Sequence, residues 1–193
     1  MPSLGIGKSL ADTKITMTLL VANEQDIIED NIRFHHAMGV DNFIVMDNFS
    51  TDETAFILQK LAQEFNIHYM VQPRKDYSQS QWVTVMARMA AEKFDADWVI
   101  NNDADEFWVP QSRNIKKALK KIPKEISSIK VSRFNAVVTD GDSDVLSAFS
   151  HPRSTKIFER LSLNTHGEVL PAKIMHRASR VVSVDQGCLL YTI

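Results

Sequence analysis

Ala96-Asp97-Trp98-Val99-Ile100-Asn101-Asn102-Asp103-Ala104-Asp105-Glu106-Phe107-Trp108 is the stretch whose reading decides the fold. Trp98 to Ile100 is a short apolar run of the kind that forms a buried strand, and it leads straight into three carboxylates within four residues. An apolar core does not tolerate that, so the acids belong at a strand's carboxyl end, at the edge of the core. Alternation along an extended segment puts Asp103 and Asp105 on one side, where two hard oxygens can converge on one divalent cation. A hard cation beside an open crevice suits a phosphate-bearing ligand.

Working back toward the N-terminus, the same strand-then-helix unit recurs. Ile15 to Ala22 shifts from alternating to continuous apolarity, as a strand entering the middle of a sheet does. Asn23 stops it, and Asn23 with Asp26 predicts the cap of a helix carrying Ile27, Ile28, Ile32, Phe34 and Met38 and ending at Gly39. Asn42 to Met46 reads as a second strand left by the polar loop Asp47 to Asp52. Ser50 with Glu53 has the form of a capping box, and Ile57, Leu58, Leu61 and Phe65 follow at helical spacing. Ile67 to Val71 is a third strand. Beyond Pro73 and a polar loop, a helix from about Ser80 to Phe94 is expected to face Trp82, Val85, Met86 and Met89 inward.

Four strands alternating with three helices predict an α/β fold with a doubly wound, mostly parallel sheet and right-handed crossovers. Ligands of such sheets bind outside the carboxyl ends of the strands, where the strand order reverses. Asn23-Glu24, Asp47-Asn48 and Asp103-Ala104-Asp105 all fall at such ends and are expected to share one crevice.

Downstream of Trp108 the pattern changes. Ser112 to Ile122 reads as a lysine-rich helix stopped by Pro123, and Ser128 to Phe134 as a strand. Thr139 to Thr155, rich in Asp, Ser, Gly and Pro, reads as a loop beside the crevice. Lys156 to Leu161, Ala172 to His176 and Val181 to Val184 read as short strands before an apolar tail. Met1 to Thr13 reads as a loose leader.

A chain of 193 residues with 44% hydrophobic and 24% charged residues and a net charge of -2 has the composition of one soluble globular domain, here 1–193. That balance argues against a disordered chain and against a basic nucleic-acid binder. Cys188 is the only cysteine, so neither an intrachain disulfide nor a thiolate zinc cluster can form, and a reducing, intracellular setting is expected. No apolar run approaches the roughly 20 residues of a membrane span. The expectation is a cytoplasmic protein, with any membrane association peripheral at the inner face. The apolar tail offers an edge for pairing with a second chain.

A nucleotide diphosphate sugar would use every part of this crevice. Breaking its sugar–phosphate bond leaves a diphosphate with extra negative charge, which a metal at Asp105 would stabilise as a Lewis acid. Asp103 would share the metal or accept from ribose hydroxyls, and Asp47 would accept from a base N–H or a hydroxyl. Arg74 and Arg88 are fixed charges suited to diphosphate oxygens. An inverting transfer also needs a carboxylate base, for which Asp140, Asp142, Asp144 and Glu159 are the candidates. His35 and His36, adjacent on a helix, diverge by about 100° and read as packing or surface residues. His151, His166 and His176 stand alone. No G-x-S-x-G elbow, no G-x-G-x-x-G after the first strand and no G-x-x-x-x-G-K-[ST] is present, which argues against hydrolases of that type, dinucleotide oxidoreductases and P-loop enzymes.

Val21-Ala22-Asn23-Glu24, then Asp47-Asn48-Phe49-Ser50-Thr51-Asp52, then Asp97 to Phe107, in this order and spacing, resemble the family-2-like glycosyltransferases of GT-A fold, in particular a bacterial group whose acidic motif reads D-x-D-E-F. The resemblance implies a nucleotide-sugar donor bound by 14–108, Mn²⁺ or Mg²⁺ at Asp103 and Asp105, a donor-base contact near Asp47, and Glu24 and Arg74 bordering the nucleotide. It implies a saccharide or lipid-linked acceptor on the 109–193 side, and a place in surface polysaccharide or lipopolysaccharide synthesis. Lys173 resembles a position in the family's late strand. Gly187 is followed by Cys188 where relatives carry a histidine near the metal. The expectation is therefore a truncated product, a reduced acceptor half, or a metal completed by another group such as His176. A nucleotidyltransferase and an inactive nucleotide-sugar-binding module are the competing readings.

Overall fold

β1 (Ile15–Val21) is the strand against which the others are registered, and six of its seven residues are buried. Ile15, Met17, Leu19 and Val21 point to one face and join a core with Ile32, Leu58 and Leu61, while Leu20 packs on the other face near Met86 and Ala87. That period of two is what a strand with both faces covered requires. In this computed structural model the described residues are 12–72, 79–134, 161–185 and 188–191.

α1 (Ile28–Ala37), β2 (Asn42–Asp47), α2 (Thr54–Leu61), β3 (Ile67–Val71), α3 (Gln79–Lys93) and β4 (Trp98–Asn102) follow in turn. α4 (Ile115–Leu119), β5 (Ser128–Val131), β6 (Lys173–Arg177), β7 (Ser183–Asp185) and β8 (Cys188–Tyr191) complete the order. The main sheet runs β3-β2-β1-β4-β6-β5. Its first four strands are parallel, β6 is antiparallel to β4, and β5 is antiparallel to β6. β7 and β8 pair separately. The mixed α/β sheet is therefore as expected, parallel where strands alternate with helices and antiparallel where they do not. The strand order reverses between β1 and β4.

Helix starts are where local reading fails. α1 begins at Ile28 and α2 at Thr54, and neither N-cap residue, Ile27 or Glu53, makes a side-chain cap. Asn23 and Ser50, expected to cap, are bonded to each other's loops instead. α3 turns Val83, Met86, Ala87 and Ala90 into the core and leaves Val85 42% exposed. Alanine at two inward positions lets the helix lie close to the sheet, and the larger Trp82 and Met89 pack at the flank. α1 does end as predicted. Gly39 takes φ 103°, a conformation only glycine enters freely, and a Cβ there would stand 3.3 Å from Asn114 Nδ2.

The strand expected over Ser128 to Phe134 stops at Val131, with Phe134 held by an isolated bridge to Leu161. The lysine-rich helix shrinks to Ile115–Leu119, capped by Asn114, whose side chain accepts from the Lys117 N–H. The loop expected over Thr139 to Thr155 lies outside the described residues, as do the leader and most of the Lys156 to Leu161 strand. No described helix is long and apolar enough to cross a membrane.

Candidate active site

Register alone brings the polar clusters to one edge. Val21 lies opposite Asp47, and Leu19 opposite Asn102, so the loops leaving β1, β2 and β4 rise side by side. β2 and β4 flank β1, which puts their tips about 10 Å apart at the usual strand spacing.

The β1 and β2 loops are stitched to each other. The Asn23 N–H donates to Ser50 Oγ at 2.9 Å, and the Thr51 N–H donates back to Asn23 Oδ1 at 2.8 Å. The Glu24 N–H reaches Thr54 Oγ at 2.8 Å, and the Gln25 N–H reaches Asp52 Oδ2 at 3.2 Å. These loops accept unusual backbone to do so: Asn23 sits at φ 57° and Phe49 at φ 60°. Asparagine tolerates that region, whereas the bulkier phenylalanine is strained there. Phe49 is 39% exposed.

Asp47 does not present its carboxylate to solvent. It is 3% exposed, with Oδ1 accepting from the Ser50 N–H at 2.8 Å and Oδ2 from the Tyr69 hydroxyl at 2.9 Å. The Tyr69 phenol is pushed up to about 12 by burial first and by this bond second. Asp47 shapes the β2 turn at the position where a contact with a base N–H or hydroxyl is expected. Its neighbour offers an open acceptor, since Asn48 Oδ1 is buried with no hydrogen-bond partner among the described residues. A buried acceptor left unpaired costs stability unless something donates to it.

At the β4 edge, Asp105 is exposed and Asp103 half-buried. Lys173 at the start of β6 donates to Asp103 Oδ2 at 2.6 Å and lies 2.8 Å from Glu106 Oε2. Arg133 approaches Glu106 Oε1 at 2.8 Å. Burial still pushes the Glu106 carboxyl up against the pull of Lys173. Glu24 is raised too, by desolvation first and then by Asp105, with Asp26, Asp52 and Asp103 adding to it. Glu24, Asp103 and Asp105 therefore share one negative field across the crevice.

That field, with its hard oxygen donors, fits a small divalent cation. Among the described residues no three His, Cys, Asp or Glu side chains come together as a cage. A site of two carboxylates completed by the ligand's own phosphates is how Mg²⁺ is commonly held, and the residues fit that form.

His176 is not brought to this edge. It lies opposite Val99, four residues back along β4 from Asp103, and is fully buried. Its Nδ1 donates to the Arg177 carbonyl at 2.8 Å, and Asn101 Nδ2 approaches Nε2 at 3.3 Å. Burial lowers its pKa. Both nitrogens are spent in the sheet, which corrects the expectation that His176 completes a metal site. Arg88 is also elsewhere: its Nε donates to the Val182 carbonyl at 2.8 Å, pinning α3 to the strand segment before β7. Arg74, Asp140, Asp142, Asp144 and Glu159 lie outside the described residues.

Local sequence marks His35 only as a packing or surface residue and Asn31 not at all, yet both support the acidic loop. Asn31 and His35, both fully buried on α1, bond to its backbone. The signal was there, as two polar residues four apart on the stripe that also carries Ile28 and Ile32.

The model of the glycosyl transferase family 2 matches residues 20–180. The chain belongs to that family. Solved structures agree in fold: S. aureus TarS 1-349 in complex with UDP superposes with TM-score 0.50 at 16% identity, over 72% of this chain and 40% of that one. The same protein in complex with UDP-GlcNAc gives TM-score 0.50 at 15% identity, over 72% and 39%. Glucosyl-3-phosphoglycerate synthase from Mycobacterium tuberculosis with Mn²⁺ and UDP gives 0.40 at 20% identity, over 65% and 48%. The chain thus spans less than half the length of each. No curated protein sequence matches it at a significant level.

Proposed function

We propose that the protein is a metal-dependent glycosyltransferase that binds a nucleotide diphosphate sugar across the ends of β1, β2 and β4 and passes the sugar to a hydroxyl acceptor with inversion. The observation that carries this reading is the convergence of the three strand-end loops where the sheet order reverses, in a chain of this family.

In this reading the nucleoside lies over the stitched loops. Asn48 Oδ1 is the acceptor awaiting a base N–H or ribose hydroxyl, and exposed Phe49 offers an aromatic face to the base. Asp105 with Asp103 would hold Mn²⁺ or Mg²⁺, which when bound supplies the positive charge that a departing diphosphate needs. Glu24 borders the same crevice, Arg74 remains the candidate cation for the diphosphate, and Lys173 keeps the Asp103 carboxylate oriented from below. A pocket of about 760 Å³ bordered by Asp105 and Lys173 is also lined by Phe107, Arg133, Phe134 and Ser162. Its mixture of aromatic faces and donors supports a saccharide-sized acceptor there. The base that would take the acceptor's proton is sought among Asp140, Asp142, Asp144 and Glu159. The resemblance in sequence supports a product destined for surface polysaccharide.

Thermal shift against UDP-, GDP-, CMP- and TDP-sugars with and without Mn²⁺ tests the reading. One donor class should raise Tm only when the metal is present, with slow release of free sugar from that donor. No shift with any donor in the presence of Mn²⁺ would overturn it.

A further inference from the structure

We infer that Asn31 and His35 of α1 are positioning residues that fix the track from which Asp103 and Asp105 are presented. Six residues, Asp103 to Trp108, leave β4 without a strand or helix of their own, so their backbone groups have no ladder partner. α1 supplies the partners. Asn31 Nδ2 donates to the Ala104 carbonyl at 2.7 Å and to the Glu106 carbonyl at 3.0 Å, which clamps the backbone on both flanks of Asp105. The Trp108 N–H donates to His35 Nε2 at 3.0 Å and closes the far end of the loop. Because a backbone amide can only donate, Nε2 carries no proton, and Nδ1–H donates to the Asn31 carbonyl at 2.9 Å and Oδ1 at 3.0 Å.

The chain of bonds turns back on β4 as well. Asn102 Nδ2 donates to the Glu106 carbonyl at 2.9 Å, and Trp108 Nε1 donates to Asn102 Oδ1 at 2.9 Å. Phe107 stacks on the His35 ring at 5.8 Å. Leucine at positions 31 and 35 would hold α1 on the sheet by packing alone. Buried polar groups there are costly unless bonded, and their bonds go to the acidic loop. What the pair adds is therefore the loop's geometry.

The functional half of this inference rests on the proposed donor site, whereas the structural half does not, and two readouts separate them. Affinity for Mn²⁺ alone is measured by electron paramagnetic resonance, and exchange of the Trp108 amide by hydrogen–deuterium exchange. Asn31→Leu and His35→Leu should each weaken Mn²⁺ at least tenfold and speed Trp108 exchange at least tenfold. His35→Gln, whose carbonyl can take the Trp108 N–H, should stay within threefold of the parent in both. Leu58→Ala, destabilising α2 away from the loop, should lower Tm without changing Mn²⁺ affinity in the folded protein. If His35→Leu fails to fold, His35→Asn, too short to reach Trp108, replaces it beside His35→Gln. Variants that fold yet keep Mn²⁺ affinity within twofold and Trp108 exchange unchanged overturn the inference. A parent protein that binds no Mn²⁺ overturns the donor site and the presentation of the acids, while Trp108 exchange still decides whether the pair fixes the loop.

Discussion

The two sides of the crevice are held in different ways. The β1 and β2 loops are tied to each other by short side chains, Ser50, Asn23 and Asp52 toward the surface and buried Thr54 at the start of α2, each taking a backbone N–H from the facing segment. Among the described residues the backbone of the β4 loop is gripped from beneath by Asn31 and His35 inside the core, and its acids pair with Lys173 and Arg133. A loop bound at the surface can be loosened bond by bond. A loop bound from the core answers to whatever changes the core, including its protonation. The β1–β2 side of the crevice is thereby adjustable and the β4 side fixed, as would suit the proposed ion, whose ligands must be set within fractions of an ångström.

The largest expected effect falls on the fixed side. Asp105→Ala should reduce metal-dependent donor hydrolysis by roughly a hundredfold or more, the scale of losing a preorganised electrostatic contact. Asp105 is exposed, so stability should stay within about 0.5 kcal/mol of the parent. Removing its charge also relieves Glu24, whose raised carboxyl should titrate lower in the variant. Chelation of the metal should abolish hydrolysis in the parent to the same level. Retained hydrolysis in Asp105→Ala would break the distinction between the two sides.

Acid should loosen the β4 side before the other. Burial holds the His35 pKa down to about 3, against about 6.5 in an unfolded chain. Between those values the unfolded state binds the proton and the folded state does not, so stability is fully present above about pH 6.5 and is lost as pH falls. One such group loses about 1.4 kcal/mol per pH unit, or about 2 kcal/mol by pH 5. Buried His176 acts in the same direction, whereas Glu24 and Glu106, with raised carboxyls, act in the opposite one. Subtraction isolates the term: His35→Gln should flatten the fall in urea-measured stability between pH 7 and pH 5 by about 2 kcal/mol. Equal pH dependence in both proteins would show that His35 is not the sensor.

These two mechanisms also mark how much was legible in the sequence. The strands were, because Ile15 to Val21, Asn42 to Met46 and Ile67 to Val71 are short apolar runs between breakers, and parallel pairing then put the loop acids on one edge without further information. The helix starts were not. Asn23 and Ser50 carry the letters of caps, but a cap's hydroxyl or amide serves equally to bond a neighbouring loop, and which partner wins depends on a strand pairing that local sequence does not contain. The partners of Asp47 were not legible for a related reason: a carboxylate at a strand tip can face out or accept from Tyr69, 22 residues away. The role of Asn31 and His35 was not legible because the loop they hold is 73 residues downstream.

The smallest expected effects belong to the stitched side, and they test whether it is as divisible as its geometry suggests. Ser50→Ala removes the acceptor of the Asn23 N–H, and Thr54→Val that of the Glu24 N–H. Each should cost about 0.5–1.5 kcal/mol, the usual net worth of one such bond. Phe49→Gly should run the other way. At φ 60° glycine avoids the crowding that phenylalanine suffers, so removal of that strain should recover about 1 kcal/mol, offset in part by the unfolded chain's greater freedom. The double variant Ser50→Ala with Thr54→Val should lose close to the sum of its parts, because the two bonds share no atom. A pair that lost much more than its sum would mean that the β1 and β2 loops open as one unit, and the contrast with the β4 loop would then lie only in depth, not in how the bonds cooperate.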